Sequence, residues 1–265
     1  MRQLRIALRL VLMQIRSQME YRGAFWIDRI AQIITYSSSL AVIWLLVDRF
    51  TELAGWRWPD LLLLYSFHVL GYAAGAAISF TQMRDLEERV RLGTFDALLT
   101  KPISPWLYIV FSGFNIGYAG HILLGVVLMV WALWIAPVDW SLLTIAYLIA
   151  SLLSAAMVTA AFLTIIGLTA LIWVRSNHLY SIFFGFWELT RYPLDIFPVG
   201  IQGVMLTIVP LAFTSSVPVA VVLGKQVPLL GDWAPALALL AGPFFVALAV
   251  LCWREAVNRY QGAGG

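Results

Sequence analysis

The chain has 265 residues, 62% of them hydrophobic and only 12% charged, with a formal net charge of +3 at neutral pH. Soluble domains are about 45–50% apolar and about 25% charged, so this composition excludes an ordinary soluble fold and reads as an integral membrane protein. The apolar runs are of helix length, not the ~10-residue alternating strands of an outer-membrane barrel, and the sole cysteine, Cys252, excludes an internal disulfide framework.

Residues 1–25 do not read as a signal peptide, because Arg2, Arg5, Arg9, Arg16 and Arg22 interrupt any apolar core. On a helix at ~100° per residue, Arg2, Arg5, Arg9, Arg16 and Glu20 share one side. Leu4, Ala7, Leu8, Val11 and Ile15 take the other. That segregation predicts an amphipathic helix lying in the membrane interface, with its basic side toward lipid headgroups.

A first span is expected from Trp26 to Val47, with Asp28 and Arg29 at its mouth. A loop with Gly55 and Pro59 as breakers leads to a second span, Leu61–Thr81, in which Gly71 and Gly75 have the small-xxx-small spacing of close helix approach. A third span, Trp106–Ile135, is long enough to be kinked or preceded by an interfacial turn, and repeats that spacing at Gly113 and Gly117. A fourth covers Leu142–Val174. A fifth begins at His178 and is apolar to Trp187, where Glu188, Arg191, Tyr192, Pro193, Asp195 and Pro198 interrupt it. Residues 199–224 are apolar but broken by Gly203, Pro210 and Pro218, and suit either a further span or a re-entrant pair of half-helices. The last span is Trp233–Trp253.

Charge distribution decides between those two readings. With the N-terminus inside and residues 199–224 re-entrant, the inner side carries Arg2, Arg5, Arg9, Arg16, Arg22, Arg29, Arg84, Arg89, Arg91, Lys101, Arg175, Arg254 and Arg259. The outer side carries only Arg49, Arg57, Arg191 and Lys225, as the positive-inside rule expects. A seventh span would move Arg254 and Arg259 outside. The expectation is an all-α membrane protein of one domain, 1–265: an interfacial helix, six transmembrane helices, a re-entrant helical hairpin before the last span, and both termini cytoplasmic. Trp26, Trp56, Trp58, Trp106, Trp140, Trp187, Trp233 and Trp253 fall near span ends, like an aromatic belt.

The longest polar run, residues 83–105, connects spans 2 and 3. Charge patterning alone permits a merely solvated loop. However, Arg84/Glu88, Asp85/Arg89 and Glu87/Arg91 have the spacing of helical ion pairs, and Gly93 then breaks the helix ahead of Leu98, Leu99 and Pro102. The run Glu87-Glu88-Arg89-Val90-Arg91-Leu92-Gly93-Thr94-Phe95-Asp96-Ala97-Leu98-Leu99-Thr100-Lys101-Pro102 resembles the cytoplasmic connection of ABC-2 type exporter permeases, in which a charged helix is followed by Gly-Thr, an acidic residue, a Leu pair and Pro. The order of parts is similar over nearly the whole chain. The segment Arg191-Tyr192-Pro193-Leu194-Asp195-Ile196-Phe197-Pro198 resembles one in a branch of largely uncharacterised permeases that includes viologen-type exporters. The resemblance implies that Glu87, Glu88, Arg89, Arg91, Gly93, Thr94, Phe95, Asp96, Leu98 and Leu99 couple to a separate ABC ATPase subunit. It also implies a second permease subunit, identical or paralogous, in the cytoplasmic membrane of a prokaryote, with lipids as neighbours and no nucleic-acid partner.

The chain carries no phosphate-cradling motif: its one Gly-Lys, Gly224-Lys225, is followed by Gln226, and Val219 stands where the first glycine belongs. ATP and Mg are therefore expected in the partner, and this chain is not expected to be an enzyme or to hold a cofactor. Glu188 and Arg191, with Asp195 beside them, read either as an interfacial ion pair fixing the start of the re-entrant segment or as an outer gate or contact for a cationic substrate. His68, His121 and Asn115 read as interhelical hydrogen-bonding residues. No His, Cys or carboxylate cluster has metal-ligand spacing. The alternative function is a stand-alone secondary transporter or channel, although no inverted repeat is evident.

Overall fold

The computed structural model describes residues 2–20, 22–173 and 175–262; the side chains of residues 2–9, 22 and 24 lie outside this description, and with them the expected placement of Arg2, Arg5, Arg9 and Arg22. The described residues form α1 (Arg2–Glu20), α2 (Arg22–Phe50), α3 (Trp58–Ala76), α4 (Phe80–Arg84), α5 (Leu86–Arg91), α6 (Asp96–Leu99) and α7 (Pro105–Ser112). There follow α8 (Tyr118–Ile135), α9 (Leu142–Leu168), α10 (Ala170–Trp173), α11 (Asn177–Leu189), α12 (Val199–Thr207), α13 (Ser216–Val222) and α14 (Ala234–Arg259). Short 3-10 turns at Leu194–Ile196 and Leu211–Thr214 flank α12.

Among the described residues, four helical stretches are long and apolar enough to cross a bilayer: Phe25–Phe50, Tyr118–Ile135, Leu142–Trp173 (α9 with α10) and Gly231–Arg259. A fifth is the pair Trp58–Ala76 and Phe80–Arg91, bent by 55° between its halves. The span expected from His178 is α11, of 13 residues. At 1.5 Å per residue it is about 20 Å long, short of the ~30 Å hydrocarbon core. Its C-terminal end is set by the Tyr192-Pro193 break, beyond which the 3-10 turn carries the chain onward.

The central element is α3. Leu61, Leu62, Leu63 and Leu64 are all fully buried, which means protein surrounds the helix on every side. Lipid tails are as apolar as leucine, so close packing has to hold such a bundle together. At Gly75 a side chain would collide with the Ala156 carbonyl oxygen and come within 2.7 Å of Thr159 Cβ on α9; at Gly71 it would reach the Thr214 oxygen at 3.1 Å. The expected close approach is therefore real at Gly71 and Gly75. Gly113 and Gly117 are close-approach positions too, since a side chain at Gly113 would meet Gln82 of α4 at 2.5 Å and one at Gly117 would meet Arg29 of α2 at 2.8 Å, but residues 113–117 are the break between α7 and α8 and do not form one helix face. Gln18 of α1 fills that break: its Nε2 donates to the Phe114 oxygen at 2.8 Å, and its Oε1 accepts from the Ile116 N–H at 3.0 Å. Gln14 donates to the Ser112 oxygen. Val11, Gln14, Ile15 and Gln18, at helical spacing, face the protein, while Arg16 and Glu20 are exposed.

A comparable device joins α9 to α14. Ser154 Oγ accepts from the Gly242 N–H at 2.9 Å and donates to the Ala238 oxygen at 2.6 Å. The hydroxyl thus enters the helical hydrogen bond just ahead of Pro243, where a proline bends a helix.

Residues 199–224 form the expected hairpin, with arms α12 and α13 broken at Pro210. Just before it, Asp195 meets Trp56; just after it, Lys225 meets the Gly55 oxygen. Both ends therefore reach the loop between α2 and α3, and the segment leaves by the face it enters. Its tip touches Gly71, 13 residues and about 20 Å along α3. The tryptophans divide: Trp26, Trp140 and Trp233 are exposed, as a belt requires, whereas Trp56 and Trp187 are buried and make internal contacts.

Candidate functional site

The 83–105 segment is a folded part of the protein. Leu86 and Val90, one turn apart on α5, join Met83, Phe95 and Leu98 in an apolar cluster of their own, against Leu168 and Leu171 of the α9–α10 end, Ile109 of α7 and Ala256 of α14. Gly93 has φ +67, which lets the chain reverse after α5 at little steric cost. The reversed chain satisfies helix-end carbonyls: Gly93 N–H donates to the Val90 oxygen at 3.1 Å, and both Phe95 N–H (3.1 Å) and Thr94 Oγ1 (3.2 Å) donate to the Arg89 oxygen. Phe95 is thereby delivered onto Tyr260, edge to face, with ring centroids 4.8 Å apart.

Glu87 adds a polar tie from this segment to α11. Its Oε2 accepts from the N–H of Ser176 at 2.7 Å, the N–H of Asn177 at 2.8 Å and the Ser176 hydroxyl at 3.3 Å. It thus caps the N-terminus of α11 from another element, satisfying donors a helix start leaves free and placing negative charge where the helix dipole favours it. Burial works against its ionisation, but the Ser176 and Asn177 amides outweigh it and hold the carboxyl below its ordinary value. Burial pushes Asp85 the other way, upward, against the opposing pull of Arg89 and Arg84.

None of the helical ion pairs the spacing suggested, Arg84–Glu88, Asp85–Arg89 and Glu87–Arg91, forms among the described residues; Glu88 instead pairs with Arg91 at 3.6 Å, with both side chains two-thirds exposed. Asp85 lies between α4 and α5, so those two helices do not run on as one and the expected register is lost. Glu87 faces α11 rather than Arg91. The expected coupling residues therefore fall into three groups. Phe95 and Leu98 are core, and Glu87 is a tie. Glu88, Arg91, Thr94 and Leu99 face outward, joined by Leu92, which local pattern did not single out; Arg89, Gly93 and Asp96 are half-buried. Beside them opens a polar cleft of about 540 Å³ lined by Arg84, Asp85, Glu87, Glu88, Arg91, Arg175, Asn177 and His178.

At the opposite end, Arg191 pairs with Glu188 at 2.8 Å and donates to Ser39 of α2 at 3.2 Å. Asp195 does not join that pair as expected. It accepts from Trp56 Nε1 at 3.1 Å, and Lys225 bonds Asp60 at 3.1 Å and the Gly55 oxygen at 2.8 Å while lying over the Trp56 ring. Asp195 is drawn away because the 3-10 turn after Pro193 points it to the α2–α3 loop. No local spacing announces the Asp60–Lys225 pair.

Aromatic rings run between the two ends. Trp187 stacks on His68 at 4.2 Å and touches Tyr72 at 4.5 Å; Tyr72, Phe184, Phe80 and Tyr180 continue toward the connector with centroids 5.3–6.1 Å apart. The Thr190 hydroxyl donates to the Trp187 oxygen at 2.7 Å, so His68 Nδ1, also at 2.7 Å, is the donor to Thr190. His68 thus bonds between helices, as expected. His121 and Asn115 differ, each bonding locally to Gly117.

A polar-aromatic cavity of about 300 Å³ opens between α2, α3 and α11, lined by Tyr36, Tyr65, His68, Trp187, Glu188 and Arg191 among others. No curated protein and no solved structure matches the chain. The family described as ABC-2 family transporter protein matches residues 33–264. That is most of the sequence and takes in the connector, the aromatic rings and the hairpin alike, so this chain belongs to the ABC-2 transporter family.

Proposed function

We propose that the chain is the transmembrane subunit of an ATP-driven exporter in the cytoplasmic membrane of a prokaryote, with both termini and the 83–105 connector in the cytoplasm. ATP and Mg reside in separate ATPase subunits, and a second permease, identical or paralogous, completes the membrane part. In this reading α11 with its 3-10 extension serves as the fifth of six spans. The observation that carries the proposal is Glu87 joining the exposed connector to the start of α11. A load applied to Glu88, Arg91, Leu92 and Leu99 reaches α11 through the packed α5 cluster and the Glu87 hydrogen bonds. At the far end of α11, the Glu188–Arg191 pair and the contacts of Asp195 and Lys225 support an outer gate. A moving ATPase shifts such a gate only through contacts that differ between its states.

The test is co-purification with the ATPase subunit. Changing Glu88 and Leu99 together to alanine should abolish association while leaving the permease folded. Leu98→Ala, inside the cluster, should instead destabilise the protein by about 2–5 kcal/mol. Undiminished association of the Glu88/Leu99 double variant would refute docking on this face.

A further inference from the structure

A second cavity, of about 430 Å³, opens between α2 and α8 toward the connector end of the bundle. That volume is within the ~300–1,000 Å³ typical of small-molecule sites. Most of its wall is hydrocarbon, from Phe25, Ile33, Leu123, Leu124 and Val127. Among the described residues, Arg29 is its one charged lining residue. The neighbouring polar-aromatic cavity instead has Asp28, Glu188 and Arg191.

Arg29 is held in place. Its guanidinium donates to Gln32 at 3.1 Å and to Asp28, lies over the Phe25 ring, and rests against two glycines. A side chain at Gly117 would meet Arg29 Nη2 at 2.8 Å, and one at Gly120 would meet its Cδ at 3.0 Å. The arginine side chain is only 12% exposed. Seven residues into α2, it sits about 10 Å along the axis from Arg22. Arg29 is ion-paired with Asp28, but Asp28 is not among the residues lining this slot, so the slot itself presents a guanidinium beside hydrocarbon, which matches a ligand with an anionic head and a hydrocarbon tail.

We propose that the α2–α8 cavity binds an anionic phospholipid-type amphiphile from the connector-side leaflet, its acyl chain against Ile33, Leu123 and Val127 and its head at Arg29. The site belongs to the permease alone, so it stands or falls independently of ATPase docking. The experiment is native mass spectrometry of the purified full-length permease after exposure to phosphatidylglycerol or to phosphatidylcholine with identical acyl chains. The wild type should retain phosphatidylglycerol several-fold over phosphatidylcholine. Arg29→Gln should erase that preference, Arg29→Lys should preserve most of it, and Ile33→Trp, which fills the slot from an exposed position, should lower retention of both lipids. Excess inorganic phosphate should not displace the lipid. Equal retention of the two lipids by the wild type, a preference that survives Arg29→Gln, full retention by Ile33→Trp, or displacement by phosphate alone would each overturn the proposal.

Discussion

At the scale of single residues, Glu87 shows how one carboxylate can connect two parts of a membrane protein. It takes the N-cap role for α11 although it lies 90 residues from Asn177 in sequence, so no local capping pattern reveals it. Its depressed ionisation fixes the sign of a pH effect: the tie is at full strength above the ordinary glutamate range and is lost as pH falls through the lower folded-state value. Amide-exchange protection of Ser176 and Asn177, corrected for intrinsic rates, should therefore persist to more acidic pH than an unperturbed glutamate would allow. Glu87→Ala should remove that protection at neutral pH, on the scale of about 0.5–2 kcal/mol for a lost cap. Protection unchanged in Glu87→Ala would show that the cap does not hold the α11 start.

At the scale of elements, the bundle depends on a few places where backbones touch. Gly75 leaves no room for even a methyl group against α9, because the nearest obstacles are backbone atoms that cannot turn aside. Gly75→Val should therefore cause severe loss of thermal stability or of folded yield, whereas Gly185→Ala on α11, with nothing within 4 Å, should be near neutral. Comparable thermal stability of the two variants would refute the close α3–α9 contact. The Gly71/Gly75 pair was legible in the sequence because small residues four apart on an apolar helix have one common use. The Gly113/Gly117 pair has identical spacing and a different role. What separates them is Gln18, some 100 residues away, which satisfies the unwound backbone between α7 and α8.

At the scale of the whole molecule, α1, the connector and the C-terminal end of α14 gather at one end, shown by the Gln18 and Phe95–Tyr260 contacts. The loop around Gly55 and the two ends of the hairpin gather at the other. Single cysteines at Thr94 and Gln261 in a Cys252→Ser background should react with an impermeant thiol reagent from one side of the membrane, and cysteines at Glu52 and Gln226 from the opposite side. Labelling of Thr94 and Gln226 positions from the same side would refute this arrangement.

The sequence alone determined the membrane class, the helical content, the amphipathic first helix, the structured connector with its Gly93 turn, and the hairpin before the last long helix. All of these follow from hydropathy, helical period and breaker residues, which act over a few turns of chain. The tertiary structure alone decided the direction of Glu87, the burial of Leu98 beside the exposed Leu99, the parting of Asp195 from Glu188, and the seat of Arg29 on Gly117 and Gly120. Each depends on contacts between residues far apart in the chain, where the preference of a charge or a side chain is set by whichever backbone packing brings within about 3 Å, and local pattern carries no information about that distance.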